Sequence, residues 1–115
     1  MIIEYDVSGK IVLRNNNFLR NVRQYHYHFC NDRYSATPML NPNNVAVAAA
    51  YDIKGEDVAD RTGLADAISR MAAHDGAYLL NVNIDPTDMV FPMTPGGAGV
   101  DEILLNEKDH YIPQE

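Results

Sequence analysis

The chain has one cysteine, few basic residues and no long apolar run, and each shortage excludes a class of protein. Cys30 has no partner for an internal disulfide, so we expect a reducing, cytoplasmic location. With 9 basic and 16 acidic side chains the net charge is −7, which repels phosphate and argues against nucleic acid or a membrane surface as partner. The longest uncharged apolar run, residues 45–51, is too short to cross a bilayer, and residues 1–6 do not resemble a signal peptide.

The first third of the chain predicts a strand, a turn and a helix. Residues 10–14 form a short β-branched run, and the three asparagines at 15–17 are typical of the turn that follows a strand. Four apolar side chains then recur at helical spacing and predict a helix of about three turns with one apolar face. They are Phe18, Val22, Tyr25 and Phe29. We expect this stripe to lie in the core and the preceding asparagines to cap the helix.

Two more helices are predicted further along. Asn41 is suited to be an N-cap, and Pro42 to be the first helical residue, of a helix that ends near residue 51. Thr62 is expected to cap the next helix, which ends at His74 with Gly76 as a left-handed C-cap.

Two more strands and an irregular tail complete the pattern. Residues 53–58 are a weak strand interrupted by Gly55, whereas residues 78–84 are the clearest strand. From residue 86 the density of proline and glycine excludes a regular element. Strands that alternate with helices predict an α/β fold, here a partial doubly wound three-layer unit of about three parallel strands with helices on the faces. We therefore predict a single partial domain over residues 1–115, of which 86–115 form an irregular tail.

Two other chemistries were weighed and set aside. His26, His28 and Cys30 invite a zinc interpretation, but only His26 and Cys30 share a helix face and no second ligand pair is near, so partly exposed imidazoles on a helix are expected instead. Nucleophilic catalysis by Cys30 or Ser35 lacks an identifiable base.

Two motifs resemble the catalytic subunit of acetolactate synthases. The first joins three short runs: Asn15-Asn16-Asn17-Phe18-Leu19, Val22-Arg23-Gln24-Tyr25 and Arg33-Tyr34-Ser35. The second, at residues 90–97, is similar to the family's terminal Val-Phe-Pro-Met-x-Pro-x-Gly. Fragments such as residues 51–55 and 74–76 fall between them in the family's order, so the resemblance spans roughly residues 3–105. It identifies the chain as the C-terminal part of a thiamine-diphosphate-binding domain.

The resemblance implies a function and a set of cofactors. The family decarboxylates pyruvate on thiamine diphosphate and transfers the two-carbon unit to a second 2-oxo acid, in branched-chain amino acid biosynthesis. It implies Mg²⁺ for the diphosphate and FAD in the full-length enzyme. It also implies a homo-oligomer, the remainder of the catalytic subunit and a regulatory small subunit as partners.

The resemblance also implies the site residues. The side chain of Asn16 and the backbone carbonyl of Phe18 correspond to metal ligands, and Tyr25 corresponds to the residue at the substrate entrance. The cofactor-binding segment contains Asn16, Phe18, Leu19, Arg20, Asn21 and Val22. Taken without the resemblance, three asparagines after a strand predict only a turn and a helix cap.

The sequence departs from the family at several positions. Arg14 stands where an apolar residue is usual, and Arg20 and Asn21 replace Gly-Met. Arg20 could pair with a phosphate or could block the close approach that glycine permits. The Gly-Asp-Gly half of the metal motif and the activating Glu are absent from this sequence, so no catalytic residue is assigned and the chain alone is expected to be inactive. Two rival functions remain: a non-catalytic chain that self-associates, and a piece of another enzyme such as a 2-oxo acid decarboxylase.

Overall fold

The computed structural model describes residues 2–109, which form two compact units. Residues 2–17 and 40–85 make up the first, called here the sheet unit. Residues 18–39 and 86–109 make up the second, called here the helix–tail unit. No helix among the described residues is long and apolar enough to cross a membrane.

The sheet unit contains three parallel strands, as the alternating pattern predicts. They are β1 (Lys10–Asn15), β2 (Lys54–Val58) and β3 (Tyr78–Asn83), in the order β1-β3-β2. Lys10 of β1 and Lys54 of β2 both lie opposite Tyr78 of β3. As the central strand, β3 is the most buried, with Leu80 fully enclosed. Along β1 the side chains alternate between exposed and half-buried, as expected for a strand covered mainly on one face.

One helix of the sheet unit packs on each face of the sheet. Helix α3 (Arg61–Ala73) contributes Ala67 and Met71 to the core cluster that contains Leu80. Helix α2 (Asn44–Ala50) packs on the opposite face, where a Cβ atom on Gly55 would lie 3.1 Å from the carbonyl oxygen of Leu79 and 3.6 Å from Cβ of Ala48. The glycine that weakens β2 as a sequence pattern therefore allows α2 to approach closely. The partial three-layer α/β prediction is confirmed.

Two predicted helix caps in the sheet unit were wrong. Helix α2 begins two residues later than expected. Its N-cap is Asn43 and not Asn41, and Oδ1 of Asn43 accepts a hydrogen bond from the amide of Ala46 at 2.9 Å. Helix α3 is capped by Asp60, not Thr62. The hydroxyl of Thr62 donates to Asp60 at 2.5 Å and lowers the pKa of that carboxyl group. A carboxylate is the stronger acceptor at the positive end of a helix, which explains the preference for Asp60.

The C-terminal end of α3 lies where the sequence predicts it, but the prediction that Gly76 is the C-cap was wrong. His74 is its C-cap, and Gly76 has a φ of 94°, the left-handed conformation that glycine adopts at low cost. The ammonium group of Lys10 donates to the carbonyl of His74 at 2.6 Å and to that of Gly76, so a positive charge lies at the negative end of the helix.

Helix α1 (Arg20–Phe29), in the helix–tail unit, exists as predicted but buries a different face. Its N-cap is Leu19, without a side-chain hydrogen bond, so the prediction that residues 15–17 cap it was wrong. Val22 and Tyr25 are 42% and 45% exposed, whereas Gln24 and His28 are buried. The expected apolar core stripe was therefore also wrong, and the expected partial exposure of the imidazoles is confirmed for His26 and wrong for His28.

The tail is irregular over its described part, as predicted. Residues 86–109 contain one 3₁₀ turn, Val100–Glu102, and one isolated bridge between Met93 and Leu104. The rest of the predicted tail, residues 110–115, lies outside the described residues.

An ion pair links α3 to β2 in the sheet unit. The guanidinium of Arg70 donates two hydrogen bonds to Glu56 Oε2, at 2.9 and 3.1 Å, and this interaction lowers the pKa of Glu56. Tyr78, which is 1% exposed, also hydrogen-bonds to Glu56. Burial and the neighbouring carboxylate raise the pKa of the Tyr78 hydroxyl.

We expect Glu56→Gln to lower the free energy of unfolding at pH 7 by about 0.5–1 kcal/mol, a small effect because solvent around the exposed arginine screens the pair. The folded pKa of Glu56 lies below its usual 4.5, so the stabilisation is present above that pH and is lost on acidification. Urea unfolding should therefore separate the variant from the unaltered chain by more at pH 7 than at pH 3. Glu107→Gln, an exposed control, should change neither value. An equal gap at both pH values would contradict the ion-pair account.

Candidate functional site

A turn of asparagines follows β1 in the sheet unit. The amide of Asn17 donates to Oδ1 of Asn15 at 3.1 Å, and Asn17 has a φ of 55°. The carboxamide of Asn41 donates to Oδ1 of Asn15 at 2.7 Å and to Oδ1 of Asn17 at 3.3 Å. Asn16 lies half-buried between the two bridged residues. The carboxyl end of a parallel strand, where this turn lies, is where α/β folds bind ligands.

A second polar cluster surrounds the buried Asn81 on β3. Its carboxamide donates to Oδ1 of Asp57 on β2, and its own Oδ1 accepts from Asn44 at the start of α2, at 3.4 Å. Asn83, two residues further along, lies opposite Asn15 in the sheet register. Sequence analysis missed this cluster, although the asparagines that alternate with Leu80 and Val82 were the signal for it.

In the helix–tail unit, the predicted cofactor-binding segment lines one shallow depression of about 330 Å³. Its lining residues are Phe18, Leu19, Arg20, Asn21 and Val22. The amide of Leu19 donates to the carbonyl of Thr37 at 2.8 Å, and Phe18 forms an isolated bridge with Pro38. The first turn of α1 contains no acidic side chain, so its positive end is not offset locally.

Arg20 is engaged by the tail. Its Nε donates to the carbonyl of Asp88 at 2.7 Å, and its Nη2 lies 4.0 Å from the Asp88 carboxylate. The side chain of Arg20 is 19% exposed, whereas that of Asp88 is 67% exposed. In this conformation the guanidinium therefore has an internal anionic partner.

Three side chains on one face of α1 bind alternate residues of the tail backbone. Arg23 donates to the carbonyl of Pro86, and Arg20 to that of Asp88. The carboxamide of Gln24 pairs with both backbone groups of Val90, at 2.9 Å for each bond. Residues 20, 23 and 24 are three and four positions apart, so their side chains share one face of the helix. Residues 86, 88 and 90 are two positions apart, so their backbone groups can face the same side. Sequence analysis missed this pairing of the two motifs.

The guanidinium of Arg23 also lies over two aromatic rings. It is 4.6 Å from the centroid of Phe18 and 5.2 Å from that of Tyr34. Burial, followed by a hydrogen bond to Asp32, raises the pKa of the Tyr34 hydroxyl. Arg23 thus connects all three runs of the first motif with the tail.

Tyr25, the predicted entrance residue, is exposed on α1 and packs against Phe29 with ring centroids 5.3 Å apart. It borders an apolar cavity of about 180 Å³ formed with tail residues. The lining residues are Asn21, Gln24, Tyr25, Val90, Pro92 and Met93. The assignment of Tyr25 to a substrate entrance remains a prediction.

Within residues 2–109 no group of three or more His, Cys, Asp or Glu side chains could hold a metal ion. His26 accepts a hydrogen bond from the amide of Ser35 at 3.3 Å, and His28 packs edge-on against Phe91. Amide oxygens such as that of Asn16 are of the type that Mg²⁺ takes, but they are neutral, and this cation is normally bound with a carboxylate. The asparagine turn therefore fits one part of a magnesium site and not a whole one. That Asn16 and Phe18 share an ion remains a prediction.

We expect Gln24→Ala to release the tail at Val90, because both backbone groups of Val90 lose their partner. Hydrogen exchange at the Val90 amide should accelerate by about tenfold, while the amides of β3 stay unchanged. Asn21→Ala, an exposed neighbour on the same helix, should leave Val90 unaffected. Unchanged protection of Val90 in Gln24→Ala would contradict the pairing.

Comparison with known proteins gives a family and a set of relatives. Residues 1–82 match the family described as "Thiamine pyrophosphate enzyme, C-terminal TPP binding domain". The chain is 35% identical over 107 residues to an acetolactate synthase catalytic subunit, mitochondrial, from Aspergillus candidus, an alignment that covers 92% of this chain and 15% of that protein. It is 38% identical over 96 residues to the acetolactate synthase isozyme 2 large subunit of Escherichia coli K12, covering 83% and 18%.

A third relative is the acetolactate synthase catalytic subunit, mitochondrial, of Saccharomyces cerevisiae, 35% identical over 95 residues, with coverage of 83% of this chain and 14% of that protein. The chain thus spans less than a fifth of the length of these relatives. The resemblance that the motifs indicate is confirmed. Because the family match covers more than half of its residues, this chain belongs to the family of C-terminal TPP-binding domains of thiamine pyrophosphate enzymes.

Proposed function

We propose that this chain is the C-terminal thiamine-diphosphate-binding part of an acetolactate synthase catalytic subunit. The proposal is supported by the family match and by relatives from bacteria and fungi that bear this name. The observation that carries it is the asparagine turn at the carboxyl end of β1, the end of a parallel strand at which α/β folds bind ligands. Amide oxygens are of the hard type that Mg²⁺ takes.

Each predicted site residue has a role in this proposal. The Asn16 amide and the Phe18 carbonyl are two oxygen ligands of Mg²⁺, which holds the diphosphate. Residues 19–22 lie along the cofactor, and Tyr25 stands at the substrate entrance. Thiamine diphosphate supplies the electron sink for the decarboxylation of pyruvate. The two-carbon unit then passes to a second 2-oxo acid, in branched-chain amino acid biosynthesis.

The chain supplies one part of this machinery. The asparagine turn lacks the carboxylate that a tightly held Mg²⁺ needs, and the family's activating Glu is absent from this sequence. The rest of a catalytic subunit must provide both. FAD, a homo-oligomeric state and a regulatory small subunit belong to the whole enzyme in this proposal. A cytoplasmic location is part of it too, although two of the relatives are named mitochondrial.

The chain by itself should form no acetolactate from pyruvate with thiamine diphosphate, Mg²⁺ and FAD. Calorimetry should detect no binding of thiamine diphosphate with Mg²⁺ tighter than about millimolar, because a neutral amide and a carbonyl do not compensate the dehydration of Mg²⁺. Turnover, or heat from a micromolar site, would show that the chain completes the site without further residues.

A chimera tests the positive half of the proposal. Residues 3–109 of this chain, which include the span of the resemblance, should replace the matching segment of the Escherichia coli isozyme 2 large subunit and retain acetolactate formation. In that chimera, Asn16→Ala should weaken the apparent affinity for Mg²⁺ by about 100-fold, at the upper end of what altered metal shells cost. Asn106 also lies in the exchanged segment, and its carboxamide donates to Asp109 of the tail, so Asn106→Ala is the matched control and should have no effect on the affinity for Mg²⁺.

Two outcomes of the chimera experiment would count against the proposal. If Asn16→Ala and Asn106→Ala behave alike, the turn does not hold the metal. If the chimera releases acetaldehyde instead of forming acetolactate, the segment belongs to a 2-oxo acid decarboxylase.

The exposed edge of β1 favours self-association as a second candidate function. Among the described residues β1 pairs only with β3, and Val12 on it is 53% exposed. Light scattering should then report a dimer or a larger species. Val12→Lys should shift that species towards monomer, while Val47→Lys, on an exposed position of α2, should not. A monomer at every accessible concentration would remove this candidate.

A further inference from the structure

We propose that Asn41 is a positioning residue, which holds the turn of residues 15–17 in the conformation that presents the Asn16 side chain to a divalent cation. This inference rests on the proposed function for the role of Asn16. The placement of the turn itself rests only on hydrogen bonds within the sheet unit.

The carboxamide of Asn41 bridges the turn. Its two hydrogens reach the side-chain oxygens of Asn15 and Asn17, at 2.7 and 3.3 Å, so one group connects the residues on either side of Asn16. The same Asn15 oxygen also accepts the Asn17 amide at 3.1 Å, which closes the turn. Removal of the carboxamide would break both of these side-chain bonds and leave the bond between the Asn17 amide and Asn15 in place.

The backbone of the turn has an unfavourable conformation at Asn17. Asn17 has a φ of 55°, a left-handed conformation that L-residues adopt at a cost and that asparagine tolerates best. A local hydrogen bond seldom holds such a conformation alone, whereas a bridge from a separate segment restricts it further.

Asn41 is anchored by the helix that follows it. Asn41 is half-buried and lies just before Pro42 and the true N-cap, Asn43, so its backbone leads directly into α2. Helix α2 in turn packs on β2 through the close approach at Gly55. The two hydrogen bonds of Asn41 therefore attach the turn to a segment that the packing of α2 on β2 holds in place.

The test uses the intact chain and its amide NMR spectrum. Hydrogen exchange at the Asn17 amide reports the turn, and broadening of the Asn16 carboxamide by Mn²⁺ reports the cation. In Asn41→Ala we expect Asn17 exchange to be about fivefold faster and Mn²⁺ broadening at Asn16 about fivefold weaker, the effect of losing one net hydrogen bond. Asn41→Asp, which faces two oxygens with a carboxylate, should accelerate Asn17 exchange at least as much.

Asn43→Ala is the matched control, because it removes the cap of α2 without touching the turn. It should lower overall stability and, relative to the amides of β3, change both signals by clearly less than Asn41→Ala does, because the carboxamide bridge itself is kept. Equal effects of Asn43→Ala and Asn41→Ala, or no effect of Asn41→Ala, would overturn the positioning role. Because the chain alone lacks the carboxylate of the site, Mn²⁺ broadening at Asn16 is also measured in the Escherichia coli chimera, and its absence there would contradict the proposed function. The Asn17 exchange rates in the intact chain decide in either case whether Asn41 holds the turn.

Discussion

The parallel pairing of β3 with β1 on one side and with β2 on the other determines where the polar groups of the sheet unit lie. Because all three strands run in one direction, their carboxyl ends meet at one edge, where no strand continues to pair their polar groups. The asparagine turn after β1 lies at that edge, and the cluster around Asn81 lies two residues before the end of β3. In the middle of the same strands apolar side chains dominate, and α2 and α3 cover them. The division between core and candidate site thus follows from strand direction.

Asparagine is well suited to this edge for two physical reasons. Its carboxamide can donate and accept at once, so Asn41 and Asn81 each connect several neighbours without adding charge. It also tolerates the left-handed conformation that Asn17 adopts. The result is an edge with many oxygens and little negative charge. Such an edge can contribute to a cation site but needs a carboxylate from elsewhere, as expected for a chain that spans a fraction of its relatives.

The sequence predicted the fold class, all three strands and the irregular tail, because these depend on local periodicity and on the density of proline and glycine. It failed where a distant partner decides the outcome. Gln24 is buried because it bonds to Val90, 66 residues away, and no local pattern shows that contact. Asn41 was predicted as a helix cap because it precedes proline, yet its side chain bonds to residues 26 and 24 positions earlier. Helix α3 is capped by the carboxylate of Asp60, a stronger acceptor than the hydroxyl of Thr62 two residues later.

The central claim is that the oxygen of Asn16 is a ligand of the divalent cation that holds the diphosphate. A crystal of the Escherichia coli chimera, grown with Mn²⁺ and thiamine diphosphate, tests it through the anomalous difference map at the manganese edge. The account predicts a single strong peak about 2.1 Å from Oδ1 of Asn16. A strong peak bound elsewhere, with the Asn16 side chain turned away from it, would contradict the claim.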